Sequence, residues 1–213
     1  MRISLICNTA QGMTDKERRA AILSLPFGKE DGERLLNIKN ADAQYESLCA
    51  RIALLKLCCG GDIALLENGK PYFVDEDKPS FNLSHTRGIS CAAVSERDEG
   101  EIGIDIEAID GERPYKRIAE RFFTKDELDT FTSASETAEA FFLLWTEKEA
   151  RSKLSGHGLS RELAGKATRN DIYLRRYEIR LGDVRAFMCV ASENKAEKID
   201  FACSDDFLIL ELK

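Results

Sequence analysis

Asp105 and Glu107 are the carboxylates whose spacing most directly suggests chemistry. They stand two residues apart in Gly103-Ile104-Asp105-Ile106-Glu107, and alternate side chains of a strand share one face. Two carboxylates on one face repel each other, so they need either a solvated surface or a cation. The spacing leaves both interpretations open: an edge strand with a wet acidic face, or ligands for a hard divalent cation, Mg²⁺ or Mn²⁺.

A second set of residues could supply a third carboxylate and a positive charge. Phe141, Trp145, Glu149 and Lys153 follow one another at four-residue steps, which places them on one face of a helix. In one interpretation the helix is amphipathic, and Glu149 and Lys153 form only a surface ion pair. In the other, the aromatic end packs in the core and directs Glu149 and Lys153 into a cleft, where Glu149 completes a three-carboxylate metal site.

The segment Asn82-Leu83-Ser84-His85-Thr86 places a hydroxyl beside an imidazole. Neighbours in sequence rarely reach the geometry of a catalytic triad, so nucleophilic catalysis explains this pair poorly. We expect a turn here, whose hydroxyl, imidazole and backbone amides bind an anion. Lys70 follows the Asn68-Gly69 turn signal and could add a positive charge to the same site.

The net charge of -7 comes from one segment of the 213 residues. Positions 96–112 hold eight acids and one base, so the remainder is neutral. This balance excludes a strongly basic nucleic-acid binder, and no apolar stretch approaches the ~18 residues of a membrane span. The N-terminus is typical of a strand rather than a signal peptide. The seven cysteines, with no CxxC pair, indicate reduced core thiols in a cytoplasmic protein.

Hydrophobic periodicity predicts the elements that position these side chains. We expect strands at 3–7, 71–74, 81–83, 89–94, 102–106, 172–180, 184–192 and 207–212. We expect helices at 15–24, 42–57, 115–122, 125–131 and 136–154. Thr124 is the predicted N-cap of the helix at 125–131, with Glu127 as its capping-box partner. Each half has a helix that ends at glycines and is followed mostly by strands, which predicts an α+β fold of two similar lobes, residues 1–100 and 101–213.

Together and in this order, the motifs resemble those of the 4'-phosphopantetheinyl transferase superfamily. The similarity runs from about residue 42 to about residue 160, and the length resembles that of the two-lobed Sfp-type branch. The matching segments are Gly69-Lys70-Pro71, Phe81-Asn82-Leu83-Ser84-His85-Thr86, Gly103-Ile104-Asp105-Ile106-Glu107, Arg121-Phe122-Phe123-Thr124 with Glu127, Trp145-Thr146-Glu147-Lys148-Glu149-Ala150 with Lys153, and Gly156-His157-Gly158-Leu159.

The resemblance implies a monomer with an active site in the cleft between two lobes related by a pseudo-twofold axis. It implies Mg²⁺-dependent transfer of phosphopantetheine from coenzyme A to a serine of an apo acyl or peptidyl carrier protein, with release of adenosine 3',5'-bisphosphate. By similarity the metal ligands are Asp105, Glu107 and Glu149, and the residues that contact coenzyme A are Lys70, Ser84, His85 and Lys153. Glu149 or a metal-bound water is the candidate base, and the role of Glu127 stays open.

Two other functions fit parts of the pattern. A non-catalytic protein that binds carrier proteins could keep the same fold, and a Mg²⁺-dependent nucleotide phosphohydrolase could use the same acids without a carrier. Because carrier proteins are typically acidic, we expect docking through apolar contacts and a local basic patch. The candidate residues of that patch are Arg113, Lys116, Arg117 and Arg121.

Overall fold

The structure, a computed structural model, describes residues 1–8, 13–135, 137–156 and 172–212. Its helices are α1 (Asp15–Ser24), α2 (Lys29–Leu36), α3 (Ala41–Leu55), α4 (Tyr115–Phe122), α5 (Lys125–Ser133) and α6 (Ala138–Ser155). Its strands are β1 (Arg2–Cys7), β2 (Ile63–Leu65), β3 (Pro71–Phe73), β4 (Ser80–Thr86), β5 (Ile89–Ser95), β6 (Ile102–Ala108), β7 (Tyr173–Leu181), β8 (Val184–Ser192), β9 (Asp200–Ala202) and β10 (Phe207–Leu212). The predicted α+β class is confirmed. Within these ranges, no helix is both long and apolar enough to cross a membrane.

Two four-stranded sheets share one apolar core. The first has the order β4-β5-β1-β9 and the second β10-β7-β8-β6, and β9 from the C-terminal half lies parallel to β1. Ile3 and Ile89 of the first sheet are fully buried in the same cluster as Ile104 and Ile106 of the second. The edge strands β4 and β6 contact each other, so the two sheets meet along a seam between these strands.

Local capping explains where the helices of the second half begin and end. The predicted capping box of α5 is confirmed, because Thr124 accepts from the Glu127 N–H while Glu127 binds back to the Thr124 backbone. Thr137 caps α6 by accepting a hydrogen bond from the Ala140 N–H. The helix ends at Gly156, whose left-handed φ of 66° favours glycine. The rest of that motif, residues 157–159, lies outside the described residues.

β4 runs through the segment that the sequence predicts as a turn. The strand continues to Thr86, and the chain reverses only at Arg87-Gly88, where Gly88 has a φ of 86°. The expectation fails because alternate side chains of β4 are bonded to β6, which holds the backbone extended. The sequence pattern also misses α2, which has Gly32 at its centre, and β2 and β9, which have three residues each. The strands β2 and β9 carry too little periodicity to be recognised.

Gly103 allows β6 and α6 to pack backbone against backbone. A Cβ built on Gly103 would lie 2.2 Å from the carbonyl oxygen of Ala150 and 2.5 Å from the Leu154 nitrogen. Real Cβ atoms do not approach backbone atoms this closely, so only glycine fits between the strand and the helix. This close contact brings the acidic end of β6 beside the last two turns of α6.

All seven cysteines lie in the described ranges, and none of them forms a disulfide bond. Cys49, Cys91 and Cys189 are buried as the sequence predicts, and burial raises the pKa of the Cys91 thiol to about 12. Cys7 and Cys59 are exposed, so the prediction of core thiols is wrong for these two. They lie at the end of β1 and in the loop after α3, where the chain leaves the core.

Candidate active site

Asp105 is the centre of a buried network that joins β4, β6 and α6. Its Oδ1 accepts hydrogen bonds from Ser84 Oγ at 2.9 Å and from Lys153 Nζ at 2.7 Å. Lys153 Nζ also donates to Ser84 Oγ at 2.8 Å. Only 5% of the Asp105 surface is exposed, so the interpretation as a wet acidic face is wrong for this residue.

The aromatic end of α6 is packed in the core, and this fixes where Glu149 and Lys153 lie. Trp145 is 6% exposed and stacks on Phe141 with ring centroids 5.6 Å apart. One and two turns later, Glu149 and Lys153 lie half-buried beside β6. Lys153 pairs with Asp105 across the strand–helix contact, so the interpretation of α6 as a merely amphipathic surface helix is wrong.

Burial and mutual repulsion perturb the carboxylates and the lysine. Burial, followed by the negative charge of Asp105, raises the pKa of Glu149 to about 7. The same two causes raise the pKa of Glu107. Burial opposes the charge of Lys153, but the contacts with Asp105 outweigh it and raise the lysine's pKa. The charges of Asp105 and Glu107 on β6 thus both raise the pKa of Glu149, which lies on α6.

The donor set fits a hard divalent cation. Asp105 Oδ2 is buried without a hydrogen-bond partner, and an unpaired polar atom in the interior is costly. Carboxylate oxygens are also the ligands that Mg²⁺ and Mn²⁺ prefer. In the part of the chain that the structure describes, no three His, Cys, Asp or Glu side chains are already grouped as a metal site. In the described residues, positive side chains contact two of these acids instead: Lys153 contacts Asp105, and Arg113 Nη1 lies 3.4 Å from both oxygens of Glu107.

Lys70 links the hairpin of β2 and β3 to the end of α6. Its Nζ donates to Glu101 Oε2 at 2.6 Å and to the Leu154 carbonyl oxygen at 3.2 Å. A lysine at this point satisfies one of the last helix carbonyls and favours the negative end of the helix dipole. Lys70 therefore contacts Leu154, the residue that follows Lys153 on α6, and its hydrogen bonds go to Glu101 and Leu154 rather than to Asp105.

His85 lies on the opposite side of β4 from Ser84, because successive side chains of a strand alternate. Its side chain is 38% exposed, and its Nδ1 is 3.2 Å from Glu46 Oε2 of α3. Burial lowers the pKa of His85, and the positive charges of Lys153 and Arg51 lower it further. His85 therefore senses the charges of Lys153 and Arg51, while its own ion-pair contact is with Glu46.

Glu127, whose role the sequence leaves open, forms a partly buried ion pair. Lys148 Nζ donates to both Glu127 oxygens at 2.8 Å, and Lys148 is only 5% exposed. The pair ties α5 to α6, the helix that carries Glu149 and Lys153. Sequence reasoning missed it because the partners are 21 positions apart and no periodicity connects them.

A second missed pair joins α2 to α3. Asp31 is 1% exposed and accepts two hydrogen bonds from Arg51, at 2.9 and 3.2 Å. It also accepts one from Arg34 at 2.6 Å. The two hydrogen bonds to Asp31 fix the position of the Arg51 guanidinium, whose positive charge is one of those that lower the pKa of His85.

The predicted basic patch divides into two parts. Lys116, Arg117 and Arg121 are exposed on α4. Arg113, in contrast, lies 5.9 Å from the Trp145 ring centroid and pairs with Glu107. Arg113 therefore belongs to the surroundings of the carboxylates, a placement that its charge alone does not indicate.

Two cavities border β4, one beside α6 and one beside β6. One of about 250 Å³ is lined by Asn82 and Lys153, among others. The second, of about 340 Å³, is lined by Thr86 and Glu107, among others. A larger cavity of about 560 Å³ lies beside Glu101, but none of the three candidate metal ligands lines it. The two smaller cavities leave open space beside Lys153 and beside Glu107.

The chain is similar to a known family and to several of its members. Residues 101–203 match the sequence model of the 4'-phosphopantetheinyl transferase superfamily. The chain is 31% identical over 161 residues to 4'-phosphopantetheinyl transferase Sfp of Bacillus subtilis (strain 168). This match covers 67% of this chain and 68% of that protein. It is 44% identical over 96 residues to 4'-phosphopantetheinyl transferase psf-1 of Bacillus pumilus, covering 44% of this chain and 39% of that protein.

A third relative, 4'-phosphopantetheinyl transferase AcpT of Escherichia coli (strain K12), is 36% identical over 92 residues, covering 42% of this chain and 46% of that protein. Against three of the curated relatives that it matches, the chain spans only 38% to 52% of their length. The Sfp match is longer and extends over two thirds of each protein. The chain therefore belongs to the 4'-phosphopantetheinyl transferase superfamily.

Proposed function

We propose that this protein is a Mg²⁺-dependent 4'-phosphopantetheinyl transferase. It transfers 4'-phosphopantetheine from coenzyme A to a serine hydroxyl of an apo acyl or peptidyl carrier protein and releases adenosine 3',5'-bisphosphate. The observation that carries the proposal is the buried Asp105–Lys153 pair beside Glu107 and Glu149, in a chain of this superfamily. The relatives compared above bear the name of the same activity.

The reaction forms one bond and breaks one. The serine oxygen bonds to the phosphorus that carries pantetheine, and the bond from that phosphorus to the bridging oxygen of the diphosphate breaks. The bridging oxygen leaves with adenosine 3',5'-bisphosphate, and the serine proton passes to a base. Such a transfer needs neutralised oxygens and an in-line nucleophile. Lys153 offsets the charge that develops on the leaving group, and Glu149 is the candidate base.

Three acids would otherwise repel coenzyme A, which carries several negative charges. In this proposal Asp105, Glu107 and Glu149 hold Mg²⁺, or Mn²⁺ in its place. When bound, the cation reverses the local negative potential and orients the diphosphate. The unpartnered Asp105 Oδ2 supports this assignment.

The proposal divides the chain into two similar lobes related by a pseudo-twofold axis, residues 1–100 and 101–213. The first lobe supplies Lys70 and His85 to the coenzyme A site, and it supplies Ser84 as the hydrogen-bond partner of Asp105. The second supplies Lys153 and the three acids. The active site is the cleft between the lobes, along the seam between β4 and β6. A cytoplasmic monomer stays a prediction from the sequence.

Mass spectrometry of the carrier tests the function directly. The protein is incubated with coenzyme A, Mg²⁺ and each of several apo carrier proteins, and the carrier is then weighed. A gain of one phosphopantetheine supports transfer, while cleavage of coenzyme A without a gain supports a phosphohydrolase. A carrier that binds but gains nothing, with coenzyme A intact, supports a non-catalytic binding protein. The variant Glu149→Gln should lower the rate of this gain, while Glu120→Gln, an exposed change on α4 that serves as its matched control, should leave it unchanged.

A further inference from the structure

The inner edge of the second sheet is closed by side chains rather than by another strand. β6 pairs with β8 on one side only, so alternate N–H groups along its other side point away from the sheet. Unpaired edge groups that are buried need partners. Here the N–H groups of Ile104, Ile106 and Ala108 receive them from β4.

The partners occupy every second position of β4. Asn82 Oδ1 accepts from the Ile104 N–H at 3.0 Å. Ser84 Oγ accepts from the Ile106 N–H at 3.3 Å. Thr86 Oγ1 accepts from the Ala108 N–H at 2.8 Å. The three bonds form a side-chain ladder, defined here by Asn82, Ser84 and Thr86, in which the two strands advance by two residues together.

The hydroxyl of Ser84, the middle residue of the ladder, uses all of its hydrogen-bonding capacity within the protein. A serine hydroxyl offers one donated hydrogen bond and two acceptor lone pairs. Ser84 donates to Asp105 and accepts from Lys153 and from the Ile106 N–H. The residue is 5% exposed. A substrate phosphate could therefore bind Ser84 only by displacing one of these three bonds.

We propose that Ser84 is a positioning residue that orients the Asp105 carboxylate and the Lys153 ammonium, while Asn82 and Thr86 fix the register of β6 beneath them. The kinetic consequence rests on the proposed transferase function. The side-chain ladder does not depend on that function, because its hydrogen bonds and the Asp105–Lys153 geometry can be measured in the protein without any substrate. In this role Ser84 acts on the chemical step through its neighbours and contributes little to the affinity for coenzyme A.

Kinetics separate this role from direct phosphate binding. Ser84→Ala is expected to lower kcat about 10- to 100-fold, the usual effect of losing a group that orients a ligand, with KM for coenzyme A nearly unchanged. Ser84→Thr, which keeps the hydroxyl, is expected to retain most of the activity. A large rise in KM with kcat unchanged would show that Ser84 binds coenzyme A and would overturn the proposal.

Measurements without substrate test the ladder even if transfer activity is absent. In Ser84→Ala, the amide hydrogen of Ile106 is expected to exchange faster while that of Ile104 keeps its rate. Thr86→Val is the matched variant, expected to release only the Ala108 amide. If Ser84→Ala does not fold, Ser84→Cys keeps the volume with a much weaker hydrogen-bonding group. A crystal structure of either Ser84 variant with Asp105 and Lys153 in unchanged positions would overturn the positioning role.

Discussion

Gly103 lies so close to α6 that a Cβ on it would sit 2.2 Å from the Ala150 carbonyl oxygen. The contact is between two backbones, so no side-chain rotation can relieve it. It sets the distance between β6, which carries Asp105, and α6, which carries Lys153. The distance between the strand and the helix that carry the candidate site thus depends on the absence of a Cβ at Gly103.

Gly103→Ala is expected to destabilise the protein by about 3 kcal/mol or more, the upper end of the cost of overpacking a core. Urea denaturation followed by circular dichroism measures this. Gly111→Ala is the matched control, because nothing lies within 4 Å of a Cβ at Gly111, and it should change stability little. Equal stabilities of the two variants would show that β6 and α6 can move apart freely.

Glu149→Gln is expected to keep the fold and lose about 100-fold or more in transfer rate, since a metal-stabilised charge is worth several kcal/mol. The substitution keeps the size of the side chain but removes the charge and the proton acceptor. Calorimetric titration of Mg²⁺ into the variant should show weakened binding, while Glu120→Gln should behave like the unchanged protein. Normal Mg²⁺ affinity in Glu149→Gln would contradict its assignment as a ligand.

The pair of Glu127 and Lys148 predicts a compensating double variant. Glu127→Gln leaves a buried ammonium without its counter-charge, which costs about 3 kcal/mol or more. Lys148→Met should cost less, because the Glu127 side chain is 28% exposed and can still be hydrated. The double variant should recover most of the loss, giving a coupling free energy in a denaturation cycle. If Glu127 held the metal instead, the double variant would bind Mg²⁺ more weakly than the unchanged protein.

Most of the fold that the sequence predicts is encoded by local periodicity. The stripe of Phe141, Trp145, Glu149 and Lys153 marks both the position of α6 and the direction of its functional end. The capping box of Thr124 and Glu127 likewise needs only neighbouring residues. In contrast, α2 is not predicted, because its stability depends on Asp31 meeting Arg51 of α3, a contact that no local pattern contains.

In the candidate site, too, local relationships can be predicted from the sequence and long-range contacts cannot. Asp105 and Glu107 are predicted to share a strand face because the strand period requires it. The Ser84–Asp105 bond spans 21 positions and depends on how the two sheets meet, so the sequence predicts a turn where the structure has a rung of a ladder. Lys70 and His85 are predicted to bind an anion from their residue types and from the resemblance, but their contacts with Glu101 and Glu46 follow only from the packed structure.

Glu178 predicts a pH-dependent contribution to stability. Hydrogen bonds from Arg185, and then from Arg180, lower its pKa below the ordinary 4.5. A lowered pKa means that this stabilisation is complete above pH 4.5 and is lost as the pH falls through the lower, folded-state value. Glu178→Gln should therefore be less stable than the unchanged protein at pH 7, with the difference shrinking in acid. Thermal unfolding across this range checks it, with exposed Glu76→Gln as control. A difference that is constant with pH would contradict the ionic origin.

Glu101 is expected to compete with coenzyme A for Lys70. Its carboxylate accepts from the Lys70 ammonium at 2.6 Å and is half exposed, so a bound phosphate must share or replace this partner. Glu101→Gln removes one negative charge beside an anionic substrate and should lower KM for coenzyme A by up to about fivefold, the scale of an exposed ion pair. The effect should weaken with added salt.

Glu112→Gln removes an equally exposed acid from the same acidic segment, so it controls for the change in net charge. If the affinity for coenzyme A depended only on net charge, both variants would lower KM equally. A decrease confined to Glu101→Gln, and abolished when Lys70→Met is added, would assign it to the release of Lys70. A higher KM in Glu101→Gln would mean that Glu101 holds Lys70 in its binding position, because the lysine then needs its carboxylate partner to reach the phosphate.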